Sequence, residues 1–303
     1  MSASADLPVR RGRAAIAHPV TAVVLGGTLF GTAGVAKSFA PVGASPVAVG
    51  SVRLAIGALA ITAYLVARGT PMGSLMRMWR AKATVVAAAG AAAYQPFFFA
   101  GIGYAGVPLG TLVAVGSAPV FTGLLSWLVL RERPSRAWAV ATVVCVVGLV
   151  LLTGVGAASG SLLGVALTAG AGLSIASFTV AAKILLGRGV GTLAVLASSF
   201  GLGALVMVPV AAVLGLGWVA TGPGVLVALY LGLATMGVAN ILYARGLVGL
   251  PAASAATLTL ADPVTATALG ALVLGQVLAP LGWVGLGVIC VGLVLQGFSA
   301  ARG

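Results

Sequence analysis

The sequence predicts an all-α membrane protein with ten transmembrane helices, arranged as two inverted five-helix repeats around a central cavity. Three observations lead to this fold class. Hydrophobic residues make up 61% of the 303 residues and charged residues only 6%, whereas a soluble domain carries about 25% charged residues. Ten apolar stretches are each long enough to cross a bilayer. The pattern of the first half also returns in the second half, as after an internal duplication.

The repeat is clearest where each half ends. Pro119 and Pro263 lie 144 positions apart (263 − 119), and Trp138 and Trp283 lie 145 positions apart. The apolar run that follows each tryptophan closes its half in the same way. We therefore predict a first repeat over residues 19–156 and a second over residues 161–298, joined by a small-residue link at 156–160 and preceded by a cytoplasmic tail over residues 1–18.

In the first repeat, the ends of the helices follow from residues that interrupt helices or prefer the membrane surface. The first helix ends before Pro41, and Pro46 opens the second, which ends at the basic stretch Arg68–Lys82. The third ends before Pro108, which opens the fourth, and Pro134 precedes the fifth. The predicted helices cover about residues 19–40, 46–67, 83–104, 108–130 and 137–155.

In the second repeat, glycines and prolines separate the apolar runs in the same manner. The link 156–160 precedes the sixth helix, Gly191 opens the seventh, and the stretch 215–224 separates the seventh from the eighth. Pro251 and Pro280 open the last two helices. These helices cover about residues 161–186, 191–214, 225–244, 251–274 and 280–298.

Lys and Arg occur in every second connection between the predicted helices. They follow helices 2, 4, 6, 8 and 10 and precede helix 1, whereas the other connections contain none. The excess of basic residues on the cytoplasmic side therefore predicts cytoplasmic termini. Topology and contact with anionic lipid headgroups account for the net charge of +13, so we expect membrane lipid but no nucleic acid as a partner.

Five is an odd number, so the second set of five helices starts on the opposite side of the membrane from the first. The two halves are thus predicted to be inverted repeats. Secondary transporters commonly have this arrangement, with a substrate site near the midplane between the repeats.

Two local patterns add a resemblance to a known family. In each half a mid-helix proline precedes an apolar run that ends at a polar residue, from Pro119 to Glu132 and from Pro263 to Gln276. The order and duplication of these features resemble the EamA repeats of the drug/metabolite transporter superfamily.

The first half carries a further pattern of these repeats, because Arg53 follows Pro46 by seven positions. Within the superfamily the chain is similar to bacterial ten-helix amino-acid and metabolite exporters, over helices 1 to 10. This resemblance implies a location in a bacterial inner membrane. The second half departs from the pattern, with Gln276 where Glu is usual and no arginine in helix 7 to match Arg53. The resemblance implies a basket of helices around a central cavity.

Ionisable residues within the predicted helices are few, and such residues are functional candidates because they are costly in a bilayer. We assign a possible charge or coupling role to Lys37, Arg53, Lys183 and Asp262. Alternatively, the two lysines extend to the lipid headgroups. Glu132, between two arginines, is expected to end helix 4 at the interface.

Polar and aromatic residues recur at helical spacing on helices 3 and 8, and we expect these stripes to line a shared central site. Aromatic rings with an amide and hydroxyls suit an organic zwitterion or an amphipathic metabolite. Alternatively, Tyr94 and Tyr243 only pack between helices. The predicted substrate-binding residues are Tyr94, Gln95, Phe98, Ser177, Met236, Asn240 and Tyr243.

These observations predict a secondary transporter that exports small organic metabolites, amino acids and their analogues first, by alternating access. A passive channel or facilitator, and an exporter of drugs or other metabolites, remain alternatives. No cluster of His, Cys and carboxylate residues suggests an enzyme, and we expect neither a metal nor a cofactor.

Overall fold

The structure is a computed structural model that describes residues 18–154 and 161–302. The predicted tail, apart from His18, and the predicted link 156–160 lie outside these residues. Within them, ten helices are long and apolar enough to cross a membrane. The first five are α1 (Pro19–Ser38), α2 (Pro46–Ala67), α3 (Lys82–Ala105), α4 (Val107–Leu130) and α5 (Arg136–Thr153), and the second five are α6 (Leu162–Gly187), α7 (Thr192–Leu214), α8 (Gly222–Gly249), α9 (Ala252–Leu274) and α10 (Pro280–Ala301).

The fold class predicted from the sequence is confirmed, with two differences in detail. The basic stretch after α2 contains a short helix, Met72–Met78, whose Leu75 is buried. The indole of Trp79 holds this stretch against α7 by donating a hydrogen bond to the carbonyl of Ser198 at 3.1 Å. α8 also continues beyond its predicted end. Arg245 lies within this helix with its side chain exposed, and the helix runs on to Gly249.

Consecutive spanning helices run in opposite directions, so their connections alternate between two faces of the molecule. We call the face at the ends of α2, α4, α6 and α8 the basic face, and the opposite one the neutral face. Of the described connections, those on the neutral face (39–45, 106, 215–221 and 275–279) contain neither Lys nor Arg. The basic face carries Arg68, Arg77, Arg80, Lys82, Arg131, Arg133, Arg136, Arg188 and Arg245.

The most extensive packing joins helices of different repeats. α3 packs against α6, α2 against α7, α5 against α10, and α1 against both α8 and α9. Glycines permit the closest approaches: a Cβ atom at Gly148 would lie 2.7 Å from the backbone nitrogen of Ile289, as expected where helix backbones touch in a membrane. A site between these helices therefore lies at the interface of the two repeats.

Candidate substrate site

Arg53 of α2, Tyr94 of α3 and Asp262 of α9 form a charged cluster at membrane depth. The guanidinium of Arg53 lies close enough to both other side chains for its charge to act on them, without forming an ion pair with Asp262. Its Nε atom is buried and has no hydrogen-bond partner among the described residues. An ionisable group inside a membrane is costly and usually functional, and a buried donor without a partner adds to that cost. The cluster brings charges from both repeats to one place.

The aromatic side chains of α3 extend from this cluster. Tyr94 and Phe98 are one helical turn apart, and their rings stack with centroids 5.6 Å apart. Phe99 meets Phe98 edge to face at 5.2 Å. The Nζ atom of Lys37 lies 4.5 Å from the centroid of the Phe99 ring, which is within the range of a cation–π interaction. We call Tyr94, Phe98 and Phe99 the aromatic wall. These three residues and Lys37 are half-buried.

Gln95 lies beside the aromatic wall but packs toward α2. A Cβ atom at Gly50 would lie 2.6 Å from Cγ of Gln95 and 2.8 Å from its Oε1, so the absence of a side chain at Gly50 admits the glutamine. The next residue, Pro96, is inside the helix. Because proline has no N–H, it leaves a carbonyl of the preceding turn without its usual helical donor.

α9 is interrupted near the middle of the membrane, between the segments Ala252–Leu258 and Ala261–Leu274. Asp262 lies in the first turn of the second segment, where the helix dipole stabilises a negative charge. Discontinuous helices of this kind form the binding sites of many secondary transporters.

A cavity of about 710 Å³ extends from the neutral face to this interruption. It is bounded by the neutral-face ends of α4, α5, α9 and α10 and by the connection between α9 and α10. Thr111, Asp262, Thr267 and Gln276 are among its polar lining residues. Asp262 is therefore next to an open space, whereas Arg53, Tyr94 and the other predicted substrate-binding residues do not line this cavity.

The predicted site residues of α8 are in a different environment. They follow or lie in a π-helical segment, Leu231–Val238, and are buried: Met236 is 8% exposed, Asn240 6% and Tyr243 5%. The Asn240 amide donates to the carbonyl of Met236 at 3.0 Å. The Tyr243 hydroxyl lies 2.9 Å from Oγ1 of Thr179, in α6. Met236 in turn packs on Gly57 of α2, where a Cβ would lie 2.8 Å from its Cγ.

On α6, Ser177 is half-buried, and Lys183 binds the end of α8. The Lys183 Nζ donates hydrogen bonds to the carbonyls of Leu247 and Leu250, both at 2.7 Å. In this structure the ammonium group therefore caps a helix rather than extending to the headgroups, and a cation suits the carboxyl end of a helix.

The structure thus groups Tyr94 and Phe98 with Arg53 and Asp262, and it places Met236, Asn240 and Tyr243 in a packed region. α2 packs against both α3 and α8. Gln95 meets α2 at Gly50 and Met236 meets it at Gly57, so the two stripes meet one face of α2 at heights two turns apart. The sequence did not indicate the partners Thr179 and Phe99, because residues far apart in the chain meet only through helix packing. Among the described residues there is no group of three or more His, Cys, Asp or Glu side chains that could hold a metal.

Two inter-linked repeats, interrupted helices at membrane depth and an intramembrane charged cluster define the class of multi-pass membrane transporters. Residues 19–154 and 162–298 match the EamA-like transporter family. The chain belongs to this family, which confirms the resemblance seen in the sequence.

Two other proteins are similar to this chain over most of its length. A protein of Bacillus subtilis (strain 168), named uncharacterized transporter YwfM, is 35% identical over 274 residues, which cover 90% of this chain and 91% of that protein. A protein of known crystal structure has the same fold, with a TM-score of 0.77 and 21% identity over 93% of this chain and 98% of its own.

Proposed function

We propose that this transporter exports small organic metabolites, amino acids and their analogues first, by alternating access through the charged cluster. One observation carries the proposal: two ionisable side chains from different repeats, Arg53 and Asp262, lie near each other at membrane depth, and Asp262 lines a cavity. Such a pair offers opposite charges to the two ends of a zwitterion.

The chemistry of the cluster fits the functional groups of an amino acid. The Arg53 guanidinium can bind a carboxylate through parallel N–H donors. Asp262 can bind an ammonium group, and the ring faces of Tyr94 and Phe98 can attract the same cation. The cavity volume of about 710 Å³ lies within the roughly 300–1,000 Å³ typical of small-molecule sites. Transport of this kind requires no covalent chemistry.

We further propose that the basic face is cytoplasmic and that the protein lies in a bacterial inner membrane with both termini inside. The support is the distribution of the basic residues in the described connections, all of which fall on one face. Export then carries the substrate from the basic face to the neutral face.

The proposal is tested by counterflow in proteoliposomes loaded with unlabelled amino acids and given labelled ones outside. Preloading should accelerate uptake, and Arg53→Gln should reduce it at least about tenfold, as expected for the loss of a charged hydrogen bond in a binding site. Arg245→Gln is the matched control, because Arg245 is exposed on the basic face, and it should transport normally.

Other results would point to the alternatives. Uptake that preloading does not accelerate would indicate a channel or facilitator. Counterflow of other metabolites or drugs, without any amino acid, would contradict the substrate class. Normal counterflow by a well-folded Arg53→Gln variant would exclude the charged cluster as the site.

A further inference from the structure

The connection between α8 and α9 on the basic face is held from both sides by side chains of other helices. Oε2 of Glu132, just after α4, accepts a hydrogen bond from the backbone N–H of Ala252 at 3.1 Å. Lys183 binds the carbonyls of Leu247 and Leu250 on the other side of the connection. A carboxylate thus caps the start of α9 while an ammonium group caps the end of α8, as the two helix dipoles favour.

Trp138 of α5 closes the same face against α9. Its indole N–H lies 3.0 Å from the carbonyl of Ala253 and 3.0 Å from Oγ1 of Thr257. The ring lies on Gly123 of α4, where a Cβ atom would come within 2.6 Å of Cη2. Thr142, one turn further along α5, joins this contact through a 2.9 Å hydrogen bond with Thr257. α4, α5 and α9 are therefore packed together on the basic face.

The equivalent residues of the other repeat, on the neutral face, make different contacts. Trp283, the counterpart of Trp138, is 55% exposed. Gln276 stands at the position of Glu132 and is exposed beside the cavity. Lys37, the counterpart of Lys183, lies over the ring of Phe99.

The sequence itself gives the neutral face a different capping group. The counterpart of Glu132, at 144 positions (276 − 132), is the uncharged amide Gln276. The cavity opens between α4, α5, α9 and α10 on this face, whereas the same elements are in contact on the basic face.

We propose that Glu132, Trp138 and Lys183 form a seal that keeps the basic face closed, and that the protein rests open to the neutral face because Gln276, Trp283 and Lys37 form no matching seal. The resting state is then fixed by a chemical difference between the repeats. Substrate entry from the basic face requires this seal to open. The seal acts on the same path as the proposed transport.

The seal can be tested without any substrate, so its failure is distinguishable from a failure of the proposed function. In a background with Cys145→Ala and Cys290→Ala, a single reporter cysteine is placed at Ser254 or at Thr267. Ser254 lies in the first segment of α9 and is 7% exposed, and Thr267 lines the cavity. The rate of reaction with a membrane-impermeant maleimide is measured in nanodiscs, where the reagent reaches both faces.

With the seal intact, Thr267→Cys should react at least about tenfold faster than Ser254→Cys. Glu132→Gln and Trp138→Phe should each raise the rate at Ser254→Cys several-fold and lower the rate at Thr267→Cys, because weakening one closed face shifts the population toward the other state. Trp283→Phe is the matched control and should change neither rate.

Two results would overturn the seal. One is a Glu132→Gln variant that is monodisperse and of normal thermal stability but leaves the reaction rates of both reporter cysteines unchanged. The other is a shift in Trp283→Phe as large as that in Trp138→Phe. If Trp138→Phe fails to fold, the Glu132→Gln substitution, measured with each of the two reporter cysteines, tests the seal by itself, since it keeps the size of the side chain.

Discussion

Helices α3 and α8 occupy the same place in the two repeats, yet each interrupts its hydrogen bonding by a different device. Pro96 of α3 and Asn240 of α8 are counterparts, 144 positions apart (240 − 96). The proline removes a backbone donor from α3. The asparagine adds a side-chain donor to α8, and this donor reaches the carbonyl of Met236, next to the π-helical segment. π-helical turns inside helices are frequent at functional sites.

The two helices also differ in exposure. Tyr94, Gln95 and Phe98 of α3 are half-buried, whereas Met236 and Asn240 of α8 are below 9% exposed. Duplicated halves in one conformation need not be equivalent, because inverted repeats exchange their roles as access alternates. We infer that the side chains of α3 are the more accessible of the two sets in the state seen here, and that those of α8 become accessible when the basic face opens.

The largest loss of stability is expected from a substitution of Asn240 in α8. Asn240→Leu keeps the approximate volume but removes the side-chain donor to the Met236 carbonyl, which leaves this buried carbonyl with one donor fewer. The cost should be about 1–3 kcal/mol of stability, seen as a lower midpoint of thermal unfolding in detergent, and transport should fall with it. An unchanged midpoint with reduced transport would instead mean that the amide binds substrate.

The counterpart on α3 provides the control for this experiment. Pro96→Ala restores an N–H and should not lower the unfolding midpoint, because alanine is the better helix residue. A loss of stability in Pro96→Ala comparable to that in Asn240→Leu would contradict the idea that the two helices interrupt their hydrogen bonding by different means.

An intermediate effect, on substrate affinity, is expected for Tyr94 in the half-buried stripe of α3. Tyr94→Ala removes the ring that stacks on Phe98 at 5.6 Å and faces the charged cluster. It should weaken substrate affinity by about 1 kcal/mol, roughly fivefold, while the unfolding midpoint changes little. Half-saturation in counterflow measures the affinity. Tyr94→Phe separates the ring from the hydroxyl, and equal losses in both variants would assign the contact to the hydroxyl.

The fold was predictable because membrane spanning leaves a strong signal in one sequence. Each spanning helix requires about 20 apolar residues, and lysine and arginine mark the connections on one side. The short helix Met72–Met78 was not predictable in this way, since seven residues carry no spanning signal. The end of α8 was misplaced because Arg245 lies inside the helix rather than after it.

The site was predictable only where its contacts are local. The stack of Tyr94 on Phe98 follows from their spacing of one turn on the same helix. The contacts of Lys183 with the end of α8 join residues more than 60 positions apart and depend on how α6 is rotated against α8. Helices that are apolar on all sides contain no periodicity that determines this rotation.

The smallest effect is expected at the hydrogen bond that joins α8 to α6. The Tyr243 hydroxyl and Thr179 Oγ1 are 2.9 Å apart, and both residues are buried. Tyr243→Phe and Thr179→Val should each cost about 0.5–1.5 kcal/mol of stability. The double variant should cost less than the sum, because both substitutions remove the same interaction. Unfolding midpoints of the four proteins measure this coupling.

Because Tyr243 is packed away from the cavity in this state, substrate affinity should remain unchanged in Tyr243→Phe. A weaker affinity with normal stability would show that the α8 stripe binds substrate here as the α3 stripe does, and the contrast between the two helices would fail.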